Sequence, residues 1–330
     1  MRFKNIHSVL IQKRCEEQGI SCELLVPGDE EIFVLQKGDH KIFINRGVSP
    51  YVSHMAATIS ENKLATNTLL HSHGIPIPEF MFCTDLQQDA RLFLEKHKPL
   101  VIKPFDTNKG VEIHMNISNQ KELEHAFLNV RKVSSHAILQ RQAAGKDYRI
   151  LLIGDELAGV LLNEWAYVTG NGKDELEQLI ETENAQRETE GTAVYDRNFK
   201  MLSPVPMEDV ARALALQGLN FQYIPGKGEK IYISYCGNGW AGALAIDKTE
   251  DIHPDNLQLA KKIAAVSAID VIGIDLRCDD ISVSYRESAF AVIEVNIRPS
   301  MVDHEYPTEG KPRRVVSQYL DYLFKKAHHE

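Results

Sequence analysis

A layered α/β or α+β fold is what the sequence predicts, on three observations. Strand-like and helix-like segments alternate along most of the chain. At 330 residues and 43% hydrophobic, the chain can bury a core in one large or two to three medium domains. No internal repeat or low-complexity tract breaks the alternation.

The elements follow in order. "SVLIQKRCEEQGI" reads as a helix stopped at Gly19, and "SCELLVP", "EIFVLQKG" and "HKIFINRG" read as short strands. In "SENKLATNTLLHSHGIPIPEF", Ser60 is the expected N-cap, Gly74 the stop, and two prolines mark the exit. One more helix precedes the strand "PLVIKPF". Then come helix "NQKELEHAFLNVRKV", strand "HAILQRQ" and, after a polar turn, a strand over "DYRILLIGDELAGVLL". Residues 171 to 230 are mixed and charged, and "QRETEGTAVYDR" is expected to be a mobile loop. "PDNLQLAKKIAAVSAI" is an amphipathic helix, followed by strands "DVIGIDLRC" and "FAVIEVNI". Domain breaks are expected near 60 and near 138.

Composition excludes some classes. No stretch approaches 18 uncharged apolar residues, so no membrane partner is expected, and "MRFKNIHSVLIQKRCEEQG" is charged too early for a signal peptide. Five cysteines without disulfide or metal spacing fit a reducing, cytoplasmic setting. The net charge of −9 argues against nucleic acid as partner, though not against small anions in a locally basic cleft.

Chemistry is concentrated in two places. In "AVIEVNIRPSM", Glu294, Asn296 and Arg298 interrupt an apolar strand at a spacing of two, which puts them on one face. Asp275 interrupts "VIGIDLRC" in the same way, and a neighbouring strand would bring Asp275, Glu294 and Asn296 together. Hard oxygen ligands of this kind suit Mg²⁺ or Mn²⁺ bound jointly with phosphates. The alternative is a plain ion pair of Glu294 with Arg298 or Arg286. In "LVIKPFDTNKGVEI", Lys103 leaves a strand beside a small polar loop, residues 106 to 110. A lysine next to free backbone N–H groups is a phosphate cradle, although no Walker A sequence is present. A solvated lysine before a turn is the competing reading.

The order of these strings, from about Ser60 to Arg314, resembles the ATP-grasp superfamily of carboxylate–amine ligases. It is most similar to the ATP-grasp module of cyanophycin synthetases and the glutathione synthetase module of bifunctional γ-glutamylcysteine ligase/glutathione synthetases. "SENKLATNTLLHSHGIPIPE", "VIKPFDTNKGVEI", "ILQRQAAGKDYR", "VTGNGKDELEQLI", "GEKIYI", "AIDKTEDIHPDN", "VIGIDLR" and "VIEVNIRPSM" follow in family order. The tail "HEYPTEGKPRRV", with His304, resembles the segment after the metal site. The resemblance implies an ATP-grasp fold with a small N-terminal αβ pre-grasp domain. Its units would be residues 1–60, a central subdomain 61–138 with a lid loop, and a C-terminal subdomain 139–330 with the metal site.

The resemblance also implies roles. Lys63 and Lys103 would bind the α- and β-phosphates of ATP, and Thr107, Asn108 and Gly110 would lie in the lid over the γ-phosphate. Gln140 would read the adenine amino group, with Arg141, Gln142 and Ala143 in the hinge and Asp147 on the ribose. Asp275, Glu294 and Asn296 would hold the metal, and Arg298 or Arg149 would stabilise the acyl oxyanion, Arg298 being favoured. The implied reaction joins a small carboxylate to an amine through an acylphosphate, releasing ADP and phosphate. No family-matching position offers a covalent nucleophile. A homodimer is expected on analogy alone. The chain lacks the second ligase module of cyanophycin synthetases and the γ-glutamylcysteine ligase module of the fusions, which points to a standalone dipeptide-type ligase.

Departures from the pattern keep a second reading open. Glu112 stands where relatives usually carry glycine, Ser234 where they carry an arginine, Trp240-Ala241 in place of Ser-Thr, and Asn163 for the arginine of R-V-P-A. These changes imply a different substrate, or an ATP-binding homologue with little or no ligase turnover and a binding or regulatory role.

Overall fold

The computed structural model describes residues 5–105, 112–190 and 202–328. The expected Thr107, Asn108 and Gly110, and the 191–197 part of the expected loop, lie outside the described residues.

Helix α1 (Ile6–Glu17) is capped by the Asn5 side chain, which accepts from the His7 N–H. Gly19 beyond its end has φ +66°, the left-handed region that glycine enters without steric cost. Strands β1 (Ser21–Leu24), β2 (Phe33–Lys37) and β3 (His40–Ile44) form an antiparallel meander. Next come α2 (His54–Glu61) and α3 (Lys63–Ser72), where one helix starting at Ser60 was expected. Ser53 already caps α2, and the chain breaks at Asn62, whose side chain caps α3 by accepting from the Ala65 N–H. Ser60 lies inside α2 and donates to the Ala57 carbonyl. This correction puts Lys63 at the first position of α3.

Strand β4 (Phe80–Cys83), helix α4 (Gln88–His97), β5 (Leu100–Pro104), β6 (His114–Ile117), α5 (Gln120–Val130) and β7 (Ala137–Arg141) complete a second unit. Its antiparallel sheet has the order β4-β7-β5-β6. Leu94 of α4 and Leu123, Ala126, Phe127 and Val130 of α5 pack with Leu100, Ile102 and Leu139 of the sheet. Because β7 belongs to this sheet, the sheet runs on to Arg141 and a break at 138 would cut a strand.

The expected long strand from Asp147 is a hairpin, β8 (Lys146–Ile153) and β9 (Glu156–Glu164), turning at Gly154 with φ +59°. The Gly-Asp pair in "IGDE" was the turn signal. Strand β10 (Tyr167–Thr169) and helix α6 (Leu176–Glu190) follow, so Gln186–Glu190 are helical rather than loop. Helix α7 (Met207–Leu216), β11 (Lys230–Tyr232), β12 (Leu244–Asp247), α8 (Pro254–Ser267), β13 (Val271–Cys278), β14 (Phe290–Asn296), α9 (Val302–Glu305) and α10 (Val315–Ala327) complete the chain.

The central sheet has the order β12-β9-β8-β13-β14, antiparallel throughout. Alternation along its strands divides it sharply. Tyr148, Ile150, Leu152, Val160, Ile272 and Ile274 face Leu259, Ala260 and Ile263 of α8 in one core. On the opposite face, Leu151 joins a second core with α1, β2, β3 and α10. Tyr319, Leu320 and Leu323 of α10 are fully buried there, each stabilising by roughly 1.5–3 kcal/mol. The N-terminal meander and the C-terminal helix therefore share a core. They cover one end of that sheet face, and its polar residues lie at the other end.

Candidate active site

The register of the central sheet assembles the site. Asp275 on β13 lies opposite Arg149 on β8 and opposite Glu294 on β14. Gly273 lies opposite Asn296, and Asp147 lies opposite both Arg277 and Asn163. Residues two apart share a face, so Asp147, Arg149, Arg277, Asp275, Glu294 and Asn296 form one polar field. The register shifts between Asp275 and Leu276, an irregularity at the point where the two carboxylates meet.

Within this field Arg149 holds Asp275 in a two-pronged ion pair, with Nη2 donating to Oδ2 at 2.7 Å. The Asn296 amide donates to the same Oδ2 at 3.0 Å. Glu294 differs: among the described residues its carboxylate has no hydrogen-bond partner. Burial pushes its pKa up, and Asp275 adds to this, while Lys103, Lys63 and Arg149 pull it down. Two adjacent carboxylates with the Asn296 side chain are a hard-oxygen donor set that suits a divalent ion.

Lys103 arrives from the other sheet. It is buried near the end of β5, and its pKa is lowered to about 8, first by burial, with Glu294 opposing and Lys63 assisting. Its ammonium donates to Gln140 Oε1 at 2.9 Å, the neighbour from β7. The buried Gln140 Nε2 has no partner, an orphaned donor aimed at an acceptor that the protein does not supply. A nucleotide fits both features: phosphate oxygens for the lysines and a base acceptor for the amide.

Other expected residues are placed differently. Arg141 turns its side chain out of the site onto Glu79, and its N–H donates to the Glu79 carbonyl. The Gln142 N–H is taken by the Pro99 carbonyl and its side chain by Asn116. The Ala143 carbonyl accepts from Arg277 Nη1 at 3.0 Å. Asp147 accepts from Trp165 Nε1 at 2.7 Å and lies 3.1 Å from Arg277 Nε, which is not aligned for a hydrogen bond. Burial raises the Asp147 pKa against the pull of Arg277 and Trp165. Arg298, two residues beyond Asn296, has a half-exposed side chain that faces Glu31 at 3.9 Å. The expected pairings of Glu294 with Arg298 or Arg286 are not formed. His304 is fully buried under Gly159, with its pKa lowered to about 3 by burial and then by Arg149, so it is neutral and shielded from solvent.

The fold that brings Lys103 on one sheet to the carboxylates on the other has known counterparts. Residues 60–166 match the RimK-like ATP-grasp domain. The crystal structure of a bifunctional glutathione synthetase from Pasteurella multocida covers 98% of this chain at TM-score 0.71 and 26% identity. The chain carries an ATP-grasp fold. A D-alanine–D-alanine ligase from Bacillus anthracis shares the fold at TM-score 0.50 and 13% identity, over 84% of this chain and 70% of that one. Among curated proteins, a cyanophycin synthetase of Trichormus variabilis is 32% identical over 267 residues, 80% of this chain and 29% of that protein. A glutathione biosynthesis bifunctional protein GshAB of Clostridium perfringens is 31% identical over 279 residues, 82% of this chain and 35% of that protein. The chain thus spans about a third of the length of these curated relatives.

The ATP-grasp fold here uses residues that the strings did not single out. Arg277 donates to the Ala143 and Gly145 carbonyls, at 3.0 and 2.8 Å, and pins the hinge between the two sheets. Its guanidinium lies 5.4 Å from the Trp165 ring centroid, and Trp165 packs edge-on against Tyr232 and Tyr235. The spacing of Arg277 two beyond Asp275 was the available signal. Asn163 and Trp165 stand beside Asp147, and the cation there is Arg277 rather than a residue at position 163. Glu112 has φ +52°, a conformation costly for any residue but glycine, and is tied to His114 at 2.9 Å.

Proposed function

We propose that this chain is an ATP-dependent ligase that joins a small carboxylate to an amine, releasing ADP and phosphate. A carboxylate is a poor acyl donor because oxide would have to leave. Transfer of the γ-phosphoryl group makes an acylphosphate, from which an amine displaces phosphate. The observation that carries the reading is that Lys103 of β5 and Lys63 of α3 both act on Glu294, which pairs in register with Asp275 on the other sheet. The relatives named as cyanophycin synthetase and glutathione synthetase support the same chemistry.

Each residue then has a task. Lys63 and Lys103 bind phosphate oxygens by charge-assisted hydrogen bonds. Asp275, Glu294 and Asn296 would hold a divalent cation, Mg²⁺ or Mn²⁺, whose chemistry is to offset the charge of the β- and γ-phosphates. Arg149 clamps Asp275 and keeps one carboxylate oriented beside Glu294. Gln140 presents Nε2 to the base. Arg277 and Trp165 fix Asp147 next to the hinge, where it would meet the ribose.

The test is ADP release from the full chain with Mg²⁺, ATP and a panel of amino acids and small acids as donors and acceptors. Release that depends on both an acid and an amine supports the ligase. ATP binding without acid-dependent release contradicts it.

A further inference from the structure

Two arginines from distant parts of the chain meet beside the metal strand. Arg298 follows Asn296 by two residues, which keeps their Cα atoms within about 7 Å. Arg46 comes from the end of the N-terminal meander and holds φ +50°, an unusual conformation for a residue other than glycine. Arg46 Nε donates to the Glu30 carbonyl at 2.9 Å, and its Nη2 pairs with Glu31. Arg298 Nη1 lies 3.9 Å from the other oxygen of Glu31, beyond hydrogen-bond distance. His7, in the first turn of α1, completes the group: burial lowers its pKa, Asp303 opposes this, and both Arg46 and Arg298 lower it further.

This cluster adjoins the reacting centre. Pro299 lies on Gly273, where an added Cβ would come within 2.9 Å of Pro299 and 3.4 Å of the Arg149 side chain. The Pro299 carbonyl also lies 3.4 Å from the Cβ position of Gly47, next to Arg46. Asp303, held by Ser300 at 3.0 Å, acts on both Arg149 and His7. Two guanidiniums thus converge on a single partly exposed carboxylate, Glu31, and Arg298 is incompletely satisfied by it. Guanidinium forks match carboxylate and phosphate oxygens.

We propose that Arg46 and Arg298 form an anion subsite for a second acidic group, carboxylate or phosphate, on the acid substrate, with Glu31 as its stand-in in the free protein. The acid substrate is therefore a diacid whose distal charge is read by the N-terminal meander, while its reacting carboxyl lies near Arg149 and the metal residues. This rests on the ligase reading for the word substrate, but binding at the subsite can be measured separately.

The experiment titrates the full chain, with ATP and Mg²⁺, by calorimetry using succinate, glutarate, adipate, 3-phosphonopropionate and butyrate as probes. ADP release is followed in parallel. At least one diacid should bind about 10- to 100-fold more tightly than butyrate, the range of one or two charge-assisted hydrogen bonds. Preference for a dicarboxylate assigns the subsite to carboxylate, and preference for the phosphonate to phosphate. Arg46→Gln, checked for folding by urea unfolding, should erase the preference, and Glu31→Gln should strengthen diacid binding. Equal binding of diacids and butyrate, or a preference intact in Arg46→Gln, overturns the subsite whether or not ADP is released. Arg46-dependent diacid binding without acid-stimulated ADP release keeps the subsite and overturns the ligase reading.

Discussion

Replacing Gln140 by glutamate probes the proposed phosphate cradle through the proton of Lys103. In the wild type Lys103 Nζ donates to Gln140 Oε1 at 2.9 Å, and burial holds the lysine pKa near 8 rather than 10.5. Below about pH 8 Lys103 is charged and can bind phosphate; above it the charge is lost. The kcat/KM for ATP, which reports groups on the free enzyme, should then fall about tenfold per pH unit on the alkaline side of 8. In Gln140→Glu an anion replaces the amide at hydrogen-bond distance from the lysine. An opposite charge so close raises a pKa by about 1–3 units, so the alkaline limb should move up by that amount. Stability gives an independent check. The folded pKa of Lys103 lies below its unfolded value, so the unfolded chain holds more protons between pH 8 and 10.5, and stability should rise with pH across that window. The rise is about 3 kcal/mol at most. In Gln140→Glu it should shrink. The assays are coupled ADP release from pH 6.5 to 10 and urea unfolding at both ends of the window, taken as roughly the range in which lysine titrates. A limb unmoved in the variant would show that Lys103 is not the titrating group.

Three further outcomes follow from particular contacts. Gln140→Glu should also sharpen the preference for ATP over GTP, because a carboxylate can only accept from the adenine amino group whereas the amide can do either; an unchanged ratio means Gln140 does not read the base. Glu294→Gln should abolish turnover while urea unfolding stays cooperative, and activity retained at saturating Mg²⁺ would count against Glu294 as a metal ligand. Glu112→Gly should raise stability by about 1 kcal/mol by relieving its φ of +52°, and an unchanged or lower urea midpoint would show that its contact with His114 outweighs the strain.

Much of the site was legible because a strand reports its faces through a period of two. Asp275, Glu294 and Asn296 interrupt apolar runs, and the register brings them together as that spacing requires. Lys103 was legible from its place at a strand end. Sequence spacing does not report which way a side chain turns, so the turn of Arg141 to Glu79 and the approach of Arg298 to Glu31 could not be read from it. Contacts between distant segments were also out of reach, such as Lys103 with Gln140, Trp165 with Asp147, and Arg46 beside Arg298. In the fold, helix and strand types were readable from periodicity. The helix break at Asn62 and the turn at Gly154 were missed because a single polar or glycine residue interrupts an otherwise continuous pattern.

The central claim is that the γ-phosphoryl group passes to the substrate carboxylate within this site. Once an acid that drives ADP release is found, it is labelled with ¹⁸O in the carboxyl group and turned over to completion. The account predicts that one label per turnover appears in inorganic phosphate, with ADP as the nucleotide product, and that Lys103→Ala lowers ADP release and label transfer together. AMP and pyrophosphate, or ADP release with no label in phosphate, would contradict it.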